Sequence, residues 1–481
     1  MAFDYLSRSK TGPQTRALPL DEMTALASEA SRARMSISYL ARSGALAGAI
    51  KLAGAALAFL MFLVIARVTD ARQFGLFSAT YAGASLVSFF ASVGQQSTVL
   101  RFWPQYESLG DLPAAHGFMS RAILVAAGGL LSSSLLVFLA GFLPLGGDDR
   151  PEWLPLCAAA AVLSFALGWT EFTSGAFRAK NVLVLALLPR DVIWRAATIL
   201  VIVAGYFLQL RVSAVDITLL TAGLLFAAAA PQTIALLRDT IAAERGTLSP
   251  EQKREFNSVT AGLWGVTSLP PALGQVSTLL VAAILGPEAA GAIFVADRTT
   301  RLVVLALHGM NQAIAPQISG AFYTGDRRHV QRIASLAGLG GFAVALMVLL
   351  AFWLFGSFIL SIFDHAYATP TMHVTLVVFG LGATLATACG PIELLLQLTG
   401  LQHSLLKLLI VVNVLGLGAT AITTDMFGPV GAAASIAGTV VTWNVMAVLI
   451  ARRRIGINPS LAGLAFADAP VVTRLLRRER G

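Results

Sequence analysis

From about Ala45 to about Ile450 the chain is a series of continuous apolar runs separated by short polar breaks. A helix needs about 20 mostly apolar residues to cross a hydrocarbon layer about 30 Å thick, and the runs have that length. They are unbroken rather than alternating, which selects helices over the strands of a membrane barrel. The pattern predicts spans near 45–66, 74–99, 118–145, 153–177, 182–209 and 214–237, then near 259–285, 289–318, 333–362, 371–398, 404–424 and 429–451. The expected fold is an all-α polytopic membrane protein with twelve transmembrane helices in two six-helix lobes around a central cavity. A charged segment, Arg238 to Asn257, divides the halves, and within it Ser249 is placed to cap a helix that has Pro250 in its first turn. The expected organisation is a cytoplasmic tail (1–43), an N-terminal lobe (44–237), a cytoplasmic linker (238–258), a C-terminal lobe (259–454) and a basic cytoplasmic tail (455–481).

The second span of each half repeats. With Gly75 set against Gly291, the polar residues Ser85, Ser92, Gln95 and Gln96 fall opposite Arg301, His308, Asn311 and Gln312. Each copy follows a short turn, Thr69 to Phe74 and Gly286 to Ala290, and ends near a Gly-Asp pair, Gly110-Asp111 and Gly325-Asp326. Four polar positions recurring in an apolar stretch point to a duplication, and parallel repeats around a central axis are a known transporter architecture. Pro189, Pro231, Pro270-Pro271, Pro316 and Gly390-Pro391 fall within or at the ends of spans, where they are expected to kink or interrupt helices.

Composition excludes a soluble domain: 56% of the 481 residues are hydrophobic and 12% are charged, against about 25% charged in soluble proteins. The net charge of +9 reports topology rather than a nucleic-acid partner. Arg8 to Arg42, Arg238 to Arg254, Arg327 to Arg332, Arg452 to Arg454 and Arg474 to Arg480 all fall on one side of the predicted spans, with only Arg67, Arg72, Arg150 and Arg211 opposite. By the positive-inside rule both termini are expected in the cytoplasm. The first apolar run begins near Gly44 behind a polar tail, which does not fit a cleaved signal peptide. Asp21 to Tyr39 suits either a surface-lying amphipathic helix or an unstructured tail. Cys157 and Cys389 sit in apolar stretches, without the spacing of a disulfide or metal site.

The chemistry concentrates in the eighth span. Asp297, Arg298, Arg301, His308, Asn311 and Gln312 occupy an arc of roughly 140° on one side of that helix. Counting from Pro287 places Arg298 roughly 16 Å deep, near mid-membrane. An arginine there costs at least about 2.5–3.5 kcal/mol, so it is expected to face a partner or a wet cavity. Asp297 and Arg301 have the i,i+4 spacing of an internal pair, which leaves Arg298 uncompensated. A guanidinium in such a cavity holds phosphate or pyrophosphate through two parallel hydrogen bonds. Arg298, Arg301, Lys51, His308 and Gln312 are therefore the expected substrate-binding residues. Glu171, Glu393 and Asp297 are the intramembrane carboxylates available for coupling to protons or ions, while Asp191 and Arg195 suit a structural i,i+4 pair. No catalytic set, phosphate-cradling loop, metal site or cofactor motif is present, and the longest outward connection, Gly146 to Glu152, is too short for a catalytic domain. The expectation is a protein without an enzymatic step.

Ordered motifs in both halves add a resemblance. These are Gln73-Phe74-Gly75-Leu76-Phe77, Leu100-Arg101-Phe102-Trp103-Pro104-Gln105-Tyr106, Leu285-Gly286-Pro287-Glu288-Ala289-Ala290-Gly291 and Asn311-Gln312-Ala313-Ile314-Ala315-Pro316. Over roughly Gly44 to Arg454 the chain resembles the polysaccharide-transporter branch, the O-antigen and exopolysaccharide flippases, of the superfamily that also contains the multidrug and toxin extrusion proteins. The resemblance implies two lobes forming a V that opens alternately to either side of a bacterial inner membrane. It also implies a lipid-linked substrate such as an undecaprenyl-pyrophosphate oligosaccharide, contact with membrane lipids, and polysaccharide polymerase and export proteins as partners. The alternatives are a multidrug or cation antiporter of the same fold, a membrane glycan polymerase or ligase, and a non-transporting scaffold. The positive sign at mid-membrane favours an anionic substrate.

Overall fold

The computed structural model describes residues 46–143, 150–243, 246 and 248–463. The N-terminal stretch Asp21 to Tyr39, most of the connection Gly146 to Glu152 and the terminal basic run Arg474 to Arg480 lie outside the described residues.

Helices follow one another with short links: α1 (Leu46–Val68), α2 (Ala71–Ala91), α3 (Gln95–Ser108), α4 (Leu112–Ala140), α5 (Arg150–Ala179), α6 (Leu183–Leu188), α7 (Trp194–Phe207) and α8 (Ala214–Ala242) in the first half. The second half contains α9 (Pro250–Leu285), α10 (Pro287–Tyr323), α11 (Arg327–Ser361), α12 (Pro370–Ala388), α13 (Ile392–Leu398) and α14 (Gln402–Ile455). Eight of the described helices are each long and apolar enough to cross a membrane, and α9 joins them across its bend. Several pieces combine: α2 with α3, α6 with α7 and α12 with α13 each form one crossing, and α14 forms two. α10 completes twelve crossings in the predicted order.

Polar side chains start these helices where the sequence supplies them. Asp70 caps α2 by accepting from the Gln73 amide at 2.8 Å, and Ser213 with Asp216 forms a capping box on α8. Ser249 and Gln252 form the same box on α9 with Pro250 at its first position. α8 runs to Ala242 and α9 begins at Pro250, so both ends of the segment 238–258 are helical.

The breaks are local and have chemical causes. Pro189 cannot donate to the Leu185 carbonyl, and Gln232 Nε2 supplies that hydrogen bond while its Oε1 accepts from Thr173 at 3.0 Å. The chain passes from α6 to α7 through a π-helical turn, Pro189–Ile193. At Pro270-Pro271 α9 bends by 44°, and Gly390-Pro391 separates α12 from α13. α14 reverses at Gly428-Pro429: Thr420 meets Ser435 at 2.7 Å, so its two arms run antiparallel. Pro231 and Pro316 do not interrupt α8 or α10. The span predicted over 74–99 breaks without proline at Ser92–Gly94, where α9 crosses closely. Gly94 has φ of 68°, and an added Cβ would lie 2.8 Å from Trp264 Cα. Two α9 side chains satisfy carbonyls near the break, Trp264 Nε1 to Phe90 O at 2.9 Å and Ser268 Oγ to Phe89 O at 2.6 Å.

Large apolar side chains such as Leu124, Leu131, Leu136, Phe207, Phe358 and Leu415 are exposed on the outer faces. Exposed apolar surface on that scale marks contact with lipid. Among the described residues, Cys157 and Cys389 are buried thiols.

Candidate functional site

The two repeats meet at the glycines that the sequence aligns. A Cβ on Gly75 would overlap the Pro287 carbonyl, and one on Gly291 would lie 3.0 Å from Gly75 Cα. α2 and α10 therefore cross backbone to backbone, an approach open only to residues without a side chain. Around this crossing, aromatic rings from both halves close one end of the bundle. Phe62 meets Phe294 edge-on at 4.9 Å, Phe59 meets Phe363 at 5.4 Å, and Phe74 lies 6.2 Å from both Phe294 and Tyr367. Phe74, Phe77, Phe294 and Phe363 are fully buried in this seal. The Tyr367 hydroxyl is buried there without a hydrogen-bond partner among the described residues, and its burial pushes the phenol pKa up.

Arg298 lies beneath the seal. Its guanidinium carbon is 4.6 Å from the Phe294 ring centre and 5.2 Å from that of Phe62, one ring from each lobe. Its buried Nε has no hydrogen-bond partner, and no carboxylate pairs with it among the described residues. A desolvated cation–π contact contributes about 2 kcal/mol, so two rings offset much of the cost of about 2.5–3.5 kcal/mol for a central arginine. They leave the donors of the fork without a charged acceptor among the described residues. Arg301 instead turns to Asp297, Nε to Oδ2 at 2.8 Å, as the i,i+4 spacing predicts.

The N-terminal lobe carries a second group of charges. Glu171 on α5 pairs with Arg190 at 2.5 Å and with Arg178 at 3.6 Å. Asp191 lies 3.8 Å from Arg195, which also donates to the Gly54 carbonyl at 3.4 Å. Lys51 is exposed and within electrostatic range of Glu171, Arg178, Arg190 and Asp191. Arg195 in turn is within electrostatic range of Arg298. The six cations Lys51, Arg178, Arg190, Arg195, Arg298 and Arg301 thus outnumber the four carboxylates Glu171, Asp191, Asp297 and Glu393.

The third feature is a cavity of about 290 Å³ inside the C-terminal lobe, walled by α10, α12, α13 and the second arm of α14. Asp297, Arg301, Asn311 and Glu393 line it.

The predicted residues are consequently distributed. Lys51 belongs to the N-terminal charge group, Arg298 to the lobe interface, and Arg301, Asp297 and Glu393 to the C-terminal cavity. Glu171 is held between two arginines, and Glu393 accepts from Gln397 Nε2 at 3.2 Å. The side chains of His308 and Gln312 lie outside the described residues. Sequence reasoning did not single out Arg178 and Arg190 as partners of Glu171. Arg178 was within reach, because it lies two helical turns from Glu171 on the same face of α5; Arg190 arrives from another helix and left no local signal.

The profile of a family described as polysaccharide biosynthesis protein matches residues 40–322. No curated protein matches the chain. Among solved structures, a multidrug resistance MATE family transporter of the MOP superfamily, in an inward-facing conformation, superposes with a TM-score of 0.64 at 16% identity, over 83% of this chain and 94% of that one. A MOP superfamily transporter from Pyrococcus furiosus, described as having a binding pocket of reversed polarity that suggests a different function, superposes with a TM-score of 0.56 at 15% identity, over 86% of this chain and 95% of that one. An outward-facing MATE family transporter gives a TM-score of 0.52 at 17% identity, over 86% of this chain and 95% of that one. At these identities the likeness establishes a shared fold.

Proposed function

The chain belongs to the polysaccharide biosynthesis protein family, and on that premise we propose that it flips a lipid-linked oligosaccharide, of the undecaprenyl-pyrophosphate class, from the cytoplasmic to the outer leaflet of a bacterial inner membrane. It does so without a covalent step, by alternating access between lobes 44–237 and 259–454. The observation that carries the proposal is the sign of the charge in this part of the bundle: six cations against four carboxylates, with Arg298 left without an anion among the described residues. An intramembrane charge without a partner marks a substrate path, and a free guanidinium fork matches phosphate oxygens. A relative of the same fold is described with a pocket of reversed polarity, which supports taking charge sign rather than fold as the determinant of substrate.

In this scheme the positive-inside rule places both termini in the cytoplasm and the aromatic seal on the outer side. The sugar and pyrophosphate enter from the cytoplasm while the polyprenyl tail stays in lipid between the lobes. Phosphate oxygens draw Arg298 from its rings, with Lys51 and Arg301 adding positive potential, and loss of the cross-lobe contact to Phe62 releases the seal. Polysaccharide polymerase and export proteins would receive the product. The competing function, a cation antiporter, takes support from Asp297 and Glu393 lining one cavity, but Arg301 already neutralises Asp297.

The test is outward exposure of a fluorescent polyprenyl-pyrophosphate oligosaccharide in proteoliposomes, comparing the native protein with Arg298→Ala and Arg301→Ala. Loss of flipping in folded Arg298→Ala supports the proposal. Full activity in both variants, or efflux of a cationic dye with no flipping by the native protein, overturns it.

A further inference from the structure

The cavity within the C-terminal lobe has a composition that the phosphate-binding argument does not use. Besides Asp297 and Glu393 it is lined by the indole of Trp443, the amides of Asn311 and Asn444, and the hydroxyl of Thr387. One wall is made where Gly390-Pro391 interrupts the helical crossing, a place where transporter folds form ligand sites. Asn311 Oδ1 is buried with no hydrogen-bond partner among the described residues, so an acceptor there awaits a donor. The amide nitrogen of Asn444 is already used, donating to Val440 O at 2.8 Å, and the Thr387 hydroxyl donates to Thr384 O at 2.8 Å. What remains for a ligand is a small set of carboxylate, amide and hydroxyl oxygens set in largely apolar walls that include the rings of Phe379 and Trp443.

We infer that this cavity is the subsite for the sugar joined directly to the pyrophosphate, a neutral pyranose ring stacked on Trp443 with its hydroxyls donating to Asn311, Asp297 and Glu393. This rests on the flippase function proposed above. Three observations favour a pyranose over a metal or coupling cation. The volume of about 290 Å³ corresponds to roughly ten waters at about 30 Å³ each, the scale of a hydrated hexose rather than of a bare ion. Among the described residues no three His, Cys, Asp or Glu side chains converge as metal ligands do. Arg301 also faces the cavity and already holds Asp297 at 2.8 Å, which opposes an entering cation. A hydroxyl-rich ring instead offers the donors that these acceptors lack, and its apolar C–H face suits an indole. The placement is consistent with the linkage: Asp297 and Arg301 flank Arg298 on α10, within one helical turn, about 5.4 Å. A phosphate at Arg298 therefore puts the adjoining sugar at the mouth of the cavity.

Equilibrium binding to the purified full-length protein tests this with two probes, undecaprenyl pyrophosphate alone and the same lipid bearing one hexose. The wild type is expected to bind the hexose-bearing lipid about tenfold more tightly than the bare lipid, the gain of one or two well-made hydrogen bonds and a stacked face. Trp443→Ala and Asn311→Ala each remove that gain while leaving the affinity for the bare lipid within about twofold. Trp443→Phe, which keeps an aromatic face, retains most of it and serves if Trp443→Ala fails to fold. Arg298→Ala weakens both probes. Equal affinity for the two probes in the wild type overturns the sugar subsite and leaves the flippase proposal standing. Survival of the gain in both Trp443→Ala and Asn311→Ala does the same, as does a sodium or proton dependence of flipping that Glu393→Gln abolishes while the gain is unchanged. Failure of the wild type to bind either lipid overturns the flippase proposal and this subsite with it.

Discussion

Two regions related by the internal repeat, the α2–α3 crossing and α10, use matching positions for opposite purposes. In the first, Gln95 is fully buried against α9, with its amide 3.5 Å from Thr260 Oγ1, and Ser92 donates to Gln96 at 2.8 Å. Gln95 thus ties α3 to α9, while the Ser92–Gln96 bond stays within the break. In the second, the matching Arg301 and Asn311 line a cavity, and Arg298, one turn before Arg301, lies between rings of both lobes with no carboxylate partner among the described residues. The charge groups divide in the same way: Glu171 is clamped by two arginines, whereas Asp297 has one partner whose side chain is half exposed. One copy packs its polar groups against a neighbouring helix, with Gln95 Oε1 buried and without a hydrogen-bond partner among the described residues, while the other copy lines a cavity. Duplication supplies matched geometry, and burial decides which copy becomes structural.

The largest expected effect tests that division on one chemical change in each lobe. Glu171→Gln strands Arg178 and leaves Arg190 only Asp191 at 4.0 Å, and a broken buried pair costs about 3–5 kcal/mol; partial exposure and the remaining partner place this one at the lower end. Asp297→Asn removes a pair whose arginine is half exposed and should cost no more than about 1 kcal/mol. Thermal unfolding in detergent measures both, and equal losses would erase the distinction. Next, Arg298→Ala should lower flipping about 30- to 100-fold, matching about 2–3 kcal/mol for charged hydrogen bonds to phosphate, while unfolding is nearly unchanged because the cost of holding that cation disappears with it. Gly291→Leu should separate the repeats at their crossing, with a stability loss of about 1–3 kcal/mol and a seal that cysteine accessibility reports as open. The smallest effect sharpens the comparison most: Gln95→Leu should lower stability by about 1 kcal/mol and spare flipping, while Asn311→Leu should spare stability and lower flipping.

Much of this was legible in the chain. Runs of apolar residues identified twelve crossings because helices are the only open-ended elements that satisfy their own backbone in lipid. The cap at Ser249, the pairs Asp297–Arg301 and Asp191–Arg195, and the exceptional position of Arg298 follow from spacing along single helices, where i and i+4 are neighbours in any fold. The alignment of Gly75 with Gly291 was also readable, though not that the two glycines touch. What escaped depends on neighbours distant in sequence. The Gln232 side chain that replaces the missing Pro189 donor comes from α8, the break at Gly94 answers to Trp264 on α9, and Arg190 reaches Glu171 from a different helix.

The sequence by itself determined the helices, their number, the repeat and the presence of uncompensated charge, because the bilayer imposes length and hydrogen-bonding rules that local pattern alone can meet. Only the tertiary structure decided where each charge points. Whether an arginine ends on a carboxylate, between two rings or in a cavity is set by which helices pack around it, and close packing of side chains from distant segments leaves no trace in local spacing.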